Sequence, residues 1–492
     1  MALDAIIAGG QWIEGHRPFP CLVVDAQAWQ DVADLLAAGD LTLLSVWGES
    51  GRVHMAVLQV PEPTIVVLSL DCADNAYPSI GRVHAPAIRL ERVMRDLIGL
   101  DPIGLEDTRP WFDHGRWGDA PPPAYEFLPV IGENLHQIPV GPVHAGIIEP
   151  GHFRFTCDGE TVVRLEQRLG YVHKGIDALL HGAPIPRALR LAGRTSGDST
   201  VAYAFAFSLA VEAALGIAVP PRAAALRGVM AELERIANHL GDFGAICNDA
   251  SFSIMLAHCG VLRERVLRCA AACFGHRLMM DRIVPGGVTT DLNDDGAALI
   301  GALITEVRAR FKSLVALYDG TASLQDRTVG TGILRPDLAL RFGAGGYVGR
   351  ASGRAFDARR AVGYAPYDTL TFDVPVLHQG DVNARAWIRI REIEQSLSML
   401  EQLLQTLPSG EVRASVEDAP LEPGEGMALV EAFRGDLLVW LRVAGGCVDR
   451  CHLRDASWFQ WPLLEVAIEG NIVADFPLCN KSFNCSYSGH DL

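Results

Sequence analysis

Residues 194–199 read Arg-Thr-Ser-Gly-Asp-Ser, and residues 483–488 read Phe-Asn-Cys-Ser-Tyr-Ser. Each stretch holds a pair of polar residues three apart: Ser196 and Ser199, then Cys485 and Ser488. Two such pairs near opposite ends of one domain are a layout that builds a four-ligand metal site. Here three of the four corners carry a hydroxyl where a thiol would be the usual donor. The chemistry of the chain turns on what such a site becomes without its thiolates.

The rest of the chain sets the frame. With 492 residues, two or three domains are expected. Hydrophobic content of 49% against 21% charged residues fits a folded chain with a large core. A net charge of −17 argues against a nucleic-acid partner, which needs a basic face. The eleven cysteines form no Cys-x-x-Cys pair. The first residues show neither a charged n-region nor a clear apolar h-region, so reduced, buried thiols in a cytosol are expected. Residues 201–219 are apolar over the length of a membrane span, but Glu212 sits inside and Pro220 and Pro221 close the run without basic flanks. A helix buried on all sides is expected there, with no direct membrane span.

Residues 1–107 read as a small α+β unit, with strands near 21–24 and 53–58 and helices over 27–38 and 90–98. Residues 108–126, with Trp111, Trp117 and three prolines at 121–123, form a linker or an arm, packed on a partner or on the chain itself. Residues 127–492 read as a large, mainly helical domain with small β sheets. Its helices are expected at 223–240, 297–317 and 386–407, broken by glycines at 286–287 and 343–346, with strands near 151–158 and 437–443. The fold class is α+β.

Seven segments in this order carry a resemblance: Gly-Pro-Val-His ending at His144, Glu149-Pro-Gly-His-Phe-Arg154, Tyr171-Val-His-Lys-Gly175, Ser208-Leu-Ala-Val-Glu212, residues 232–239 (Glu-Leu-Glu-Arg-Ile-Ala-Asn-His), Gly286-Gly-Val288 and Gly380-Asp-Val-Asn-Ala-Arg385. Together they resemble the large subunit of nickel–iron hydrogenases of the membrane-bound, energy-converting kind, such as formate hydrogenlyase. They also resemble its relative, the complex I subunit that lines the quinone cavity, though less closely. The N-terminal unit, through its helix at 90–98, is similar to the small peripheral complex I subunit fused in front of such chains.

In that family an Arg-x-Cys-Gly-x-Cys motif and a terminal Asp-Pro-Cys-x-x-Cys motif hold nickel and iron. Matched position by position, Ser196 and Ser199 take the first two cysteines, and Cys485 and Ser488 the last two. Phe483 and Asn484 replace the Asp-Pro. A serine hydroxyl stays protonated and hard, and does not bridge soft low-valent metals. No nickel–iron centre and no other metal are therefore expected. The quinone-binding histidine and tyrosine of the complex I branch are not intact either. Gly197 stands at the tyrosine position, His144 matches the first histidine of Gly-Pro-x-His, and Ile148 or Pro150 replaces the second.

What the resemblance leaves is a polar pocket. Glu149 falls where the family keeps a proton-passing carboxylate; its plain alternative is a cap on the turn before Pro150. Asp198 either handles protons or forms a buried ion pair with Arg194. Ser196 and Ser199 either line an acceptor pocket or fill space. His144 joins the candidate set. His152 and His173 read as structural, Cys269 and Cys273 as helix core, and Cys447, Cys451 and His452 as a packed segment without metal. No glycine-rich dinucleotide fingerprint follows a strand.

The expectation is thus a hydrogenase-like large subunit of a membrane-associated, complex I-related oxidoreductase, with a quinone as the candidate acceptor in its pocket. Iron–sulfur clusters are expected in an iron–sulfur small subunit and a ferredoxin-like subunit. Antiporter-like membrane subunits would complete the complex on the cytoplasmic face of the cell membrane. A non-catalytic scaffold is the alternative, and a hydrogenase with atypical ligands ranks last.

Overall fold

The structure is a computed structural model that describes residues 3–60, 63–112, 125–146, 148–414 and 423–492. Trp117 and the prolines at 121–123 lie outside the described residues. The N-terminal unit is a five-stranded sheet in the order Gln11–Trp12, Cys21–Val23, Thr64–Asp71, Arg52–Gln59, Leu41–Glu49. Its central strands are buried on both faces, which is why 53–58 reads as an apolar run interrupted only by His54. Met55, Val57, Val66 and Leu68 pack toward Trp29 and Leu36 of the helix Ala26–Ala38 and Met94 of the helix Ile88–Ile98. The alternate residues, among them Ala56, Leu58 and Val67, join Met427, Leu438 and Trp440 of a second sheet.

That second sheet runs Cys447–Arg454, Gly435–Ala444, Gly424–Ala432 and then His16–Arg17, which pairs in parallel from the N-terminal unit. The two sheets are further tied where Arg442 clamps Glu49 at 2.7 and 2.9 Å and Arg454 donates to Leu44 O at 2.7 Å. Beneath it lies the apolar helix Thr200–Leu215, which is buried all round as expected, with Glu212 answered by Arg227. The helix can lie this close because Gly426 has no side chain. A Cβ there would stand 1.9 Å from Ala210 O.

Around this centre pack the long helices Pro221–Asp249, Ser253–Phe274, Asp294–Gly320 and Val382–Gln405; the first, third and fourth cover the predicted apolar stripes with shifted ends, and Ser253–Phe274 is a helix not predicted from the sequence. Asn293 and Asp381 cap two of them with their carboxamide and carboxylate oxygens. A three-stranded sheet, Thr161–Arg168, His152–Asp158, Leu135–Val140, flanks the C-terminal helices. Trp111 is buried inside the chain under Arg89, Arg92 and Arg168, so this part of the 108–126 stretch forms an intramolecular clasp.

The core also holds a charged network. Glu232, Arg235 and His239 share one face of the Pro221–Asp249 helix at spacings of three and four. Arg350 donates to Glu392 and Glu431 at 2.8 Å each, and lies 3.4 Å from Asp357. Arg359 joins Asp357 to Glu232, and His239 shares a 2.7 Å hydrogen bond with Glu392. All are buried. Burial and the Asp357 charge push Glu431 above the ordinary carboxyl range.

Candidate functional site

The two stretches of the opening motif meet. One 3-10 turn, Gly197–Ser199, leads into the buried helix Thr200–Leu215. Ser196 Oγ lies 2.9 Å from Ser486 Oγ and donates to Asp198 at 2.9 Å, while Ser199 donates to Asp198 at 3.2 Å. Arg434 completes the join. It stands in the two-residue turn between Gly424–Ala432 and Gly435–Ala444. It grips Asp198 at 2.8 and 2.6 Å, donates to Ser199 Oγ at 3.2 Å and to Asn484 O at 2.6 Å. Burial pushes the Asp198 carboxyl up, but the Arg434 charge and these hydrogen bonds prevail and hold it at about 2.

Three of the four ligand positions are thus gathered around one guanidinium. Ser488 lies a turn further on, in the short helix Tyr487–Asp491, buried, with its N–H donated to Glu149 at 3.0 Å. The donor set does not suit nickel and iron. Both serine hydroxyls already donate to Asp198, and a fixed cation stands beside Ser199.

Two expectations fail here. Arg194 does not pair with Asp198: it is exposed and pairs with Asp281 at 2.6 and 2.8 Å. It ends the turn after the helix Ile185–Ala192, and its backbone oxygen, not its charge, is used inward, by Lys174. Glu149 is not a buried carboxyl: it lies exposed in the loop before His152–Asp158, where it caps the N–H of Ser488.

Beside the serines lies a cavity of about 250 Å3, lined by His144, Asp249, Lys481, Asn484, Cys485 and Tyr487, with Ile148 and Phe476 in its apolar wall. His144 Nε2 and the Tyr487 hydroxyl are buried atoms without a hydrogen-bond partner among the described residues. Their rings lie 6.3 Å apart. Asn480 stands near the Tyr487 hydroxyl without reaching normal hydrogen-bond geometry. Burial lowers the pKa of His144 and raises that of Tyr487, so both rings are neutral at pH 7. Gly151 makes room for Tyr487: a Cβ there would lie 2.6 Å from the phenol ring. Gly197 leaves the family's tyrosine position without a side chain, while the C-terminal helix supplies Tyr487 to the cavity.

Behind the serine loop, Glu234 accepts the N–H groups of Val201 and Ala202 at 2.8 and 3.1 Å, capping the buried helix. Burial pushes its carboxyl up to about 8. The folded chain therefore keeps a proton on Glu234 that the unfolded chain releases near pH 4.5, and this group lowers stability progressively as pH rises from about 4.5 to about 8. Glu234→Gln is expected to flatten that part of the urea-midpoint curve. An unchanged slope would contradict the assignment. The other histidines sit as structural groups: His152 lies beside Gly141 O, His173 shares a hydrogen bond with Asp491 O, and His452 bonds Ser45 and stacks on Trp47.

A family described as "Respiratory-chain NADH dehydrogenase, 49 Kd subunit" matches residues 250–423. Formate hydrogenlyase subunit 5 of Escherichia coli is 31% identical over 449 residues, covering 87% of this chain and 79% of its own length. An NADH-quinone oxidoreductase component of Phocaeicola vulgatus is 31% identical over 436 residues, covering 81% and 84%. Among solved structures, a chain of the membrane-bound sulfane sulfur reductase, an archaeal respiratory membrane complex, superposes with a TM-score of 0.69 at 26% identity. It covers 74% of this chain and 100% of that one.

Proposed function

This chain belongs to the family of membrane-bound hydrogenase large subunits and respiratory 49 Kd subunits, and we propose on that footing that it is the electron-delivering subunit of a complex I-related oxidoreductase without a nickel–iron centre. Its relatives are subunits of multisubunit membrane complexes. Its own partners would be an iron–sulfur small subunit, a ferredoxin-like subunit and antiporter-like membrane subunits, with this chain peripheral on the cytoplasmic face. The acceptor would be a small apolar carbonyl compound such as a quinone, held in the cavity beside Cys485.

The observation that carries this reading is the pair of buried, unpartnered polar atoms, His144 Nε2 and the Tyr487 hydroxyl, at one otherwise largely apolar cavity. An acceptor with polar ends and an apolar ring answers both atoms, and their unmet hydrogen bonds would otherwise cost the fold free energy. When bound, the acceptor takes up two electrons and two protons. Tyr487 donates a hydrogen bond to it, neutral His144 fixes its orientation, and the cavity wall excludes water. Glu149, exposed and close enough for its charge to raise the Tyr487 pKa, exchanges protons with solvent.

The test is made in the assembled complex. Tyr487→Phe and His144→Leu are each expected to raise KM for the acceptor about 5- to 150-fold, the range for a lost buried hydrogen bond of about 1–3 kcal/mol. Cys485→Ala should leave turnover within about twofold, whereas loss of a metal ligand would abolish it. If neither ring substitution alters acceptor kinetics while the complex still assembles, the chain is a scaffold.

A further inference from the structure

We propose that His16, Cys21 and Glu425 bind one zinc ion that joins the N-terminal unit to the C-terminal sheet, far from the cavity described above. The strand His16–Arg17 pairs in parallel with Gly424–Ala432, which sets His16 directly opposite Glu425. Cys21 opens the next strand, Cys21–Val23, after the turn through Pro18 and Pro20. One ligand atom from each of the three lies within 4.8 Å of the other two.

The hydrogen bonding around these atoms is arranged as a metal site requires. His16 Nδ1 lies 2.7 Å from Phe19 O, so Nδ1 carries the proton and Nε2 the lone pair. His16 is 8% exposed, and its Nε2 is buried without a partner. Glu425 Oε1 accepts from Arg442 at 2.9 Å, while its Oε2 is buried without a partner among the described residues. Two neighbouring residues thus each bury a lone-pair acceptor that no donor among the described residues answers. A cation satisfies both, and a hydrogen-bond donor at only one does not. Cys21 Sγ has only a long contact of 3.6 Å to Ser69 Oγ.

Charge balance favours a divalent ion. One thiolate and one carboxylate neutralise it, leaving no net charge in the core. Arg442 is not orphaned if Glu425 turns to the metal, because Glu49 holds it through two hydrogen bonds. The mixed nitrogen, sulfur and oxygen set is that of zinc, with bonds of about 2.0–2.3 Å and a fourth position for water. Closing the present spacing to about 3.4–3.8 Å between ligands takes about 1 Å of side-chain movement. On binding, Cys21 releases its proton to solvent, so affinity rises with pH.

The experiment uses the full chain, freed of metal with a chelator and titrated with Zn2+ alone. One zinc per chain is expected, with a rise in the thermal midpoint. Co2+ in its place should give the absorption of a cobalt–thiolate bond, a readout that needs no variant. Cys21→Ser and His16→Gln should each weaken zinc binding about 100-fold or more while circular dichroism stays native. Less than about 0.1 zinc per chain at micromolar zinc overturns the proposal, as does Co2+ without thiolate absorption. So does wild-type zinc retention in both variants.

Discussion

Arg350→Met is expected to destabilise the fold by about 3–5 kcal/mol, the cost of removing one partner from a buried ion pair. Arg350 is fully buried and answers Glu392 and Glu431 by hydrogen bonds, with Asp357 close by. Methionine fills much of the same volume, so the loss is of charge more than of packing. Three carboxylates would then share the remaining cations, and protons would take their place. Glu431 already sits above the ordinary carboxyl range, and in the variant its pKa would climb further. A folded-state pKa above the unfolded value means stability is lost as pH rises, so the variant should be least stable in alkaline buffer. Urea unfolding at several pH values measures this. Arg308→Met, at an exposed pair with Glu401, is the control and should stay within about 1 kcal/mol. An Arg350 variant as mild as that control would show that the network contributes nothing to the fold.

Arg434→Met is the second large effect. Arg434 holds both stretches of the opening motif, gripping Asp198 on one side and Asn484 O on the other. Its loss leaves the Asp198 carboxylate without its counterion. The cost should fall toward the lower end of about 3–5 kcal/mol, because the Asp198 side chain keeps 37% of its surface exposed. In the wild type, Asp198 is held at about 2 against an ordinary 3.8. Its stabilising contribution is therefore complete above about 3.8 and is lost as pH falls through about 2. In the variant only the Ser196 and Ser199 hydrogen bonds still oppose burial, so this stabilising contribution shrinks. An acid-unfolding curve of the variant that still matches the wild type would contradict the pairing. The serine loop should also part from the C-terminal segment, so acceptor kinetics in the complex should suffer even where the chain stays folded.

The parts of this architecture that the sequence discloses are those governed by local repeats. Apolar residues every three or four positions mark the helices at 223–240, 297–317 and 386–407, and only their ends are misplaced. The apolar run at 201–219 is separable from a membrane span because of Glu212, which in the structure meets Arg227. The four ligand positions are legible from spacing, and the structure brings their two stretches together.

What stays hidden is what depends on distant pairing. Local spacing pairs Asp198 with Arg194, four residues away, but its partner Arg434 is 236 positions along, in a turn with no motif of its own. Tyr487 escapes a position-by-position match because it reaches the cavity from the C-terminal helix, 290 positions from Gly197. Glu149 is expected in the interior from its place in the motif, yet its loop runs along the surface. His16 and Glu425 are joined only by a strand pairing that no local pattern announces.

That last pairing also fixes when the protein can finish folding. A ribosome that has released His16 must add some 400 further residues before Glu425 emerges to sit beside it. At roughly 5–20 residues per second, the delay is about 20–80 s. Throughout that interval the nascent N-terminal sheet presents an oily face that will later be covered by Met427, Leu438 and Trp440. The chain should therefore lean on chaperones early in its synthesis, and a truncated product ending before residue 425 should aggregate instead of accumulating as a free domain.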